Sequence, residues 1–108
     1  MRAVVFVTDD EQAIRAAIVK RLTRQGHRAV GYESGEALLE ALRHELPDLI
    51  LLDLKMPGLN GLDTLKNLRQ LAPSAMVIML TAYGTVQDAV EAMKLGAYDF
   101  LIKSVDLE

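Results

Sequence analysis

Apolar and polar positions alternate along this chain in two distinct rhythms. Short apolar runs, rich in β-branched residues and bounded by turn formers, occur at Val4–Val7, Leu49–Leu52, Val77–Leu80 and Phe100–Ile102. Such runs mark strands buried on both faces of a parallel sheet. Between them, apolar residues recur every three or four positions. Residues 11–25 place Ile14, Ala17, Ile18 and Leu22 on one face and Arg15, Lys20, Arg21 and Arg24 elsewhere, which predicts an amphipathic helix that Gly26 stops. A short strand is expected over 28–32, and Ser34 caps a helix over 35–45 that Pro47 ends. A third strand over 48–53 precedes a helix over 61–71, which buries Leu65 and Leu68 and is closed by Pro73; a fourth strand covers 75–80. Thr85 and Asp88 have the spacing of a capping box for a helix over 86–95, with Val86, Ala89, Val90 and Met93 facing inward. Gly96 stops that helix, and a fifth strand is expected over 98–102.

This alternation predicts an α/β domain of (βα)₄β type. Right-handed crossovers turn it into a doubly wound five-stranded parallel sheet with helices on both faces, for which the flavodoxin-like order 2-1-3-4-5 is expected. In such sheets ligands bind outside the carboxyl ends of the strands, where the strand order reverses. Four of the strands end on Asp9 and Asp10, on Asp53, on Thr81 and on Lys103. Three carboxylates, a hydroxyl and an ammonium are therefore expected to converge on one rim.

Composition narrows the possibilities. A chain of 108 residues forms one domain, and 51% apolar with 25% charged residues is the balance of a soluble globular protein. No apolar run approaches the length of a bilayer span, and no basic region followed by a long apolar stretch opens the chain, so neither a membrane anchor nor a signal peptide is expected. The expected location is cytoplasmic. The absence of cysteine excludes disulfides, thiolate metal sites and cysteine catalysis. With a net charge of −3 and basic residues spread thinly over the helices, no direct nucleic-acid binding is expected of this segment.

The acidic residues have a specific chemistry. Asp9, Asp10 and Asp53 would raise one another's pKa unless a cation joined them, and a hard divalent ion such as Mg²⁺ takes carboxylates, waters and a phosphate oxygen. Read singly, Asp9 and Asp10 could simply cap the following helix, and Thr81 and Lys103 could be turn or surface residues. An aspartate at the end of a buried strand can also attack phosphorus to give an acyl phosphate, a reaction assisted by a metal ion, an ammonium and a hydroxyl donor. Lys103 and Thr81 fit the last two roles.

The pair Asp9-Asp10, the stretch from Asp53 through Leu54, Lys55, Met56, Pro57 and Gly58 to Gly61, the pair Thr81-Ala82, and Lys103 closely resemble the receiver domain of bacterial two-component response regulators. The similarity runs from residue 3 to residue 107. The runs Thr81–Gly84 and Ala92–Leu101 look most like the nitrogen-regulator branch, whose members usually join a receiver to an ATPase and a DNA-binding domain. The resemblance implies a signalling switch driven by a sensor histidine kinase and coupled to a C-terminal output domain, with no enzymatic activity beyond its own phosphorylation and slow dephosphorylation. It implies Asp53 as phosphoacceptor, Asp10 as direct Mg²⁺ ligand, Asp9 holding the ion mainly through water, and the Lys55 carbonyl as a further ligand. Thr81 and Lys103 would bind the phosphoryl group, Ala82 would leave room beside it, and Phe100 would be the switch aromatic that moves with Thr81. Without the resemblance, Phe100 reads as a core-edge strand residue. Pro57, Gly58 and Gly61 supply fixed and permissive backbone angles for the loop at the metal. Lys55 and Tyr83 occupy the variable positions flanking the acyl phosphate.

The pattern breaks in three places. Ser104 follows Lys103 where the family usually has proline after a cis bond; a cis bond before serine costs about 2.5–4 kcal/mol, so a trans bond and a changed aim of Lys103 are expected. Ile102 also replaces a frequent proline. The chain stops at Glu108, where the family's fifth helix would begin, so the reading is a receiver over 1–108 truncated before its last helix, with self-association, possible as a homodimer, expected to cover the sheet. Three alternatives differ in chemistry. An aspartyl hydrolase would usually carry a second carboxylate at position 55, where Lys55 stands; a nucleotide or flavin carrier would show a glycine-rich loop after the first strand. A degenerate receiver acting only as a docking module is the third.

Overall fold

The computed structural model describes residues 2–82 and 84–103. In chain order the elements are β1 (Val4–Thr8), α1 (Gln12–Arg24), β2 (Arg28–Tyr32), α2 (Gly35–Ala41), β3 (Leu49–Leu52), α3 (Gly61–Leu71), β4 (Met76–Thr81), α4 (Val86–Lys94) and β5 (Asp99–Ile102). All strand pairs are parallel, in the order β2-β1-β3-β4-β5. The flavodoxin-like arrangement expected from the sequence is therefore present. Register places Thr8 beside Leu52 and Thr81 beside Ile102, so the carboxyl ends of β1, β3, β4 and β5 lie along one edge.

One face of the sheet carries the main core. Phe6, Ile50, Leu52, Val77 and Met79 meet Leu38 and Leu42 after β2, Leu65 and Leu68 of α3, and Ala92 of α4, all essentially sealed from solvent. Val5 and Val7 point to the opposite face and are buried on the side where α1 packs along β1 and β2. Elsewhere on that face cover is thinner: Leu49, Leu51, Ile78 and Leu80 are half-buried and Leu101 is 46% exposed. Ile14, Ile18 and Leu22 of α1 are only half-buried, and Ala17 is exposed.

Two helices depart from expectation. Helix α2, capped by the Ser34 hydroxyl, ends at Ala41 instead of reaching residue 45. The Arg43 and His44 amides bond to the carbonyls three residues back, Glu40 and Ala41, so the last turn tightens and the helix stops before Pro47. Helix α4 has the expected Thr85–Asp88 capping box but is rotated about its axis. Its one buried residue is Ala92, while Val86, Val90 and Met93 are 81%, 48% and 47% exposed. The small Ala92 side chain lets the helix backbone approach the sheet closely, which turns the bulkier stripe toward solvent. Val86, Ala89, Val90, Met93 and Lys94 there line a shallow apolar groove. No helix among the described residues is long and apolar enough to cross a membrane.

Candidate functional site

Each strand end delivers a side chain because the hydrogen-bond ladder runs on into the loop. The Asp53 amide donates to the Thr8 carbonyl at 3.0 Å, the Asp9 amide to the Tyr32 carbonyl at 3.1 Å, and the Lys103 amide to the Thr81 carbonyl at 2.7 Å. These bonds bring Asp9, Asp10 and Asp53 together with one carboxylate oxygen of each within 4.8 Å of the others. Asp9 and Asp53 are buried and Asp10 is exposed. Such a set of hard oxygen donors can hold a metal ion.

Lys103 reaches into the same pocket. Its ammonium lies 2.6 Å from Asp9 Oδ2 and 3.7 Å from Asp53 Oδ2, with all three side chains nearly solvent-free. The sequence reading aimed Lys103 at a group on Asp53; here its closest partner is Asp9. The other oxygen of Asp9, Oδ1, accepts from the Glu11 amide at 2.9 Å. Thr81 is buried and its hydroxyl hydrogen-bonds the Asp53 carboxylate. Ala82 is half-buried beside it, and Lys55 lies exposed in the loop after β3. Phe100 packs at the edge of the core with its ring tip against Gly84: a Cβ built on Gly84 would stand 2.7 Å from Phe100 Cζ. Tyr83 and Ser104 lie outside the described residues, and with Ser104 the expected trans bond after Lys103.

Glycines shape the floor. Gly58 has φ +75°, the left-handed conformation expected for the loop after β3. Gly61 serves a different purpose from the one expected. A Cβ there would overlap the Asp53 carbonyl oxygen and stand 2.7 Å from Leu54 Cα, so the start of α3 sits directly behind the site. The Gly61 amide donates to the Leu54 carbonyl at 2.8 Å. The first helical turn of α2 also supports this loop, since Glu36 Oε2 accepts from the Leu59 amide at 3.2 Å. Arg15, which the sequence pattern placed off the apolar face of α1, donates from its guanidinium to the Asp9 carbonyl at 2.7 Å.

Burial, and then the Asp9 charge, push the Asp53 carboxyl above the usual carboxylate range, while Lys103, the Thr81 hydroxyl and the Leu54 amide act in the opposite sense. An acid whose pKa is raised by folding holds its proton more tightly folded than unfolded. The resulting stability is fully present below the unfolded carboxylate value and is lost as pH rises through the raised one. Ionised Asp53 is then a net cost to the metal-free fold at neutral pH. Asp53→Asn is expected to raise the Tm at pH 7 in EDTA, with the difference shrinking as the pH falls through the raised Asp53 value and gone below about 4. Thermal melts across that range check it, and a lower Tm for Asp53→Asn at pH 7 would contradict it.

Comparison with known proteins agrees with this geometry. A family model described as "Response regulator receiver domain" matches residues 5–108. The DNA-binding transcriptional regulator NtrC of Klebsiella pneumoniae is 37% identical over 107 residues, covering 99% of this chain and 23% of the relative. The chain thus spans about a quarter (23%) of the length of that curated relative. Among solved structures, a response regulator receiver protein from Pseudomonas putida superimposes with a TM-score of 0.91 at 33% identity, covering 99% of this chain and 90% of the other. A response regulator protein from Burkholderia pseudomallei with a phosphorylated aspartic acid, a calcium ion and citrate gives a TM-score of 0.90 at 27% identity, covering 96% and 61%.

Proposed function

The chain belongs to the response regulator receiver family, on its nitrogen-regulator branch, and from that premise we propose that Asp53 is the phosphoacceptor of its signalling switch. The observation that carries this is the burial of Asp53 against the Thr81 hydroxyl and the Lys103 ammonium, at the mouth of a three-carboxylate cluster. A sensor histidine kinase is the donor. A carboxylate oxygen of Asp53 attacks the phosphorus of the kinase's phosphohistidine, the O–P bond forms as the N–P bond breaks, and the imidazole leaves. The product is an acyl phosphate on Asp53.

The donor set fits Mg²⁺. Three carboxylates face one ammonium, so an excess of negative charge remains at a site built of hard oxygen ligands. Asp10, Asp53, the Lys55 carbonyl and, through water, Asp9 would hold the ion. When bound, it supplies positive charge against the phosphoryl oxygens during transfer. Lys103 neutralises a second phosphoryl oxygen by moving from Asp9 toward Asp53.

Thr81 relays the change. Its hydroxyl passes from the Asp53 carboxylate to a phosphoryl oxygen, drawing the β4–α4 loop toward the site. Ala82 leaves space there, and the Phe100 ring, now resting on Gly84, turns into it. The movement reorients α4, whose exposed Val86, Val90 and Met93 form the surface read by an output domain or a second copy. The output lies C-terminal in the parent protein, an ATPase joined to a DNA-binding domain, and the whole acts in the cytoplasm to regulate transcription.

Metal binding offers a direct check. An ion that binds only the folded state stabilises it by about 1.4 kcal/mol at ten times its Kd. Thermal melts with and without millimolar Mg²⁺ should show a rise in Tm for the unaltered chain and little or none for Asp10→Ala. An equal rise in both would remove Asp10 from the ligand set.

A further inference from the structure

We infer that Arg15 is a positioning residue for the cation site: from the first turns of α1 it fixes the peptide that joins Asp9 to Asp10, and Mg²⁺ affinity depends on it. The inference rests on the proposed metal site and adds to it a residue outside the acidic cluster. The Asp9 carbonyl belongs to the planar unit linking the two aspartates. Holding that oxygen sets the last backbone torsion of Asp9 and the first of Asp10, and so the angle between their side chains. The Arg15 guanidinium holds it at 2.7 Å, and the bond is charge-assisted.

The remaining restraints on this corner do not replace it. The Asp9 amide is held by the Tyr32 carbonyl and one carboxylate oxygen by Lys103, both on the near side of the peptide; the Glu11 amide, bonded to the other carboxylate oxygen, closes a turn across the peptide but leaves its carbonyl oxygen to Arg15. Glu11, at the N-cap of α1, makes no side-chain capping bond, so the helix start contributes little of its own. Asp10 itself is exposed, so burial does little to fix its direction.

The route taken by Arg15 is built into the neighbouring strand. Gly31 pairs with Val7 on the face covered by α1, and a Cβ there would stand 2.9 Å from Arg15 Cγ and 3.0 Å from Cδ. The missing side chain leaves a channel for the arginine stem. A glycine inside a strand weakens it unless something must pass close by, and here that something is Arg15.

Two effects of Arg15 on a cation oppose each other. Its charge repels Mg²⁺, whereas its hydrogen bond orders the ligands; we assign the larger effect to ordering, because outer-shell partners typically govern metal affinity by about 10–100-fold. Magnesium titration by calorimetry, with the Tm in EDTA measured on the same samples, separates the possibilities. Arg15→Met keeps the stem and removes the donors, and should weaken Mg²⁺ binding by about tenfold. Arg15→Lys should recover part of the loss, and Gly31→Ala, which displaces the stem from a different element, should reproduce part of it. Unchanged affinity in Arg15→Met with a lowered Tm would mean a purely structural role and overturn the inference. Tighter binding would show that repulsion wins and overturn it equally. Absence of Mg²⁺ binding in the unaltered chain would instead overturn the metal site itself, and the inference with it.

Discussion

Acetyl phosphate with Mg²⁺ is expected to add one phosphoryl group to this chain, and Asp53→Asn to abolish the addition. The small donor bypasses the kinase, so the experiment reads only what the chain's own residues contribute. Three carboxylates share the rim, but their surroundings differ. Asp9 is committed through one oxygen to the Glu11 amide and through the other to Lys103. Asp10 is exposed and far less desolvated. Asp53 alone combines burial with a hydroxyl already bonded to it and an ammonium 3.7 Å away, the two donors that a transferred phosphoryl group requires. Intact mass before and after incubation gives the stoichiometry. Label persisting in Asp53→Asn would move the acceptor to Asp9 or Asp10, and a docking module without phosphorylation would show no label in either protein.

Gly61→Ala is expected to destabilise the fold by about 3 kcal/mol, the upper end of the usual range for overpacking. The added methyl would meet the Asp53 carbonyl and Leu54 Cα, both backbone atoms with no rotamer into which to retreat. Relief requires either α3 to lift, exposing Leu65 and Leu68, or the end of β3 to shift, carrying Asp53 with it. Chemical denaturation measures the first effect. Where the protein still folds, the phosphorylation rate measures the second, and it should fall as well. Full stability and full reactivity in Gly61→Ala would show that the α3 start stands farther from the site than the structure places it.

The sheet was legible in the sequence because four of its five strands carry continuous apolar runs, a signal independent of neighbours. The site was legible for a related reason: Asp9, Asp10, Asp53, Thr81 and Lys103 follow those runs directly, so parallel topology alone carries them to one edge. Facing was harder. In α4 the more apolar stripe, Val86, Val90 and Met93, looked like the buried one, but docking is decided by how closely a helix can approach, and Ala92 permits the closer contact. The end of α2 depended on a tightened turn that leaves no mark in periodicity. Gly61 and Gly31 were visible as glycines, yet what each makes room for, a carbonyl and an arginine stem, comes from elements distant in sequence. Arg15 looked like one more solvated charge until β2 lay beside it.

The sparse anchoring of α4 has an energetic consequence. A fully buried leucine or valine holds a helix in place by about 1.5–3 kcal/mol, so a helix seated on two or three of them would resist any small perturbation. Helix α4 is seated on one alanine, Ala92. Inverting a two-state population from 1:99 to 99:1 takes about 5.5 kcal/mol of differential binding. Charge-assisted bonds from a phosphoryl group on Asp53 to Thr81 and Lys103 would be worth about 1.5–3 kcal/mol each, less what is lost where Lys103 leaves Asp9 and Thr81 leaves the carboxylate, so only a lightly held helix would leave them enough to shift the population. A better-packed α4 would have made a more stable domain, and one whose resting population a single phosphoryl group could scarcely disturb.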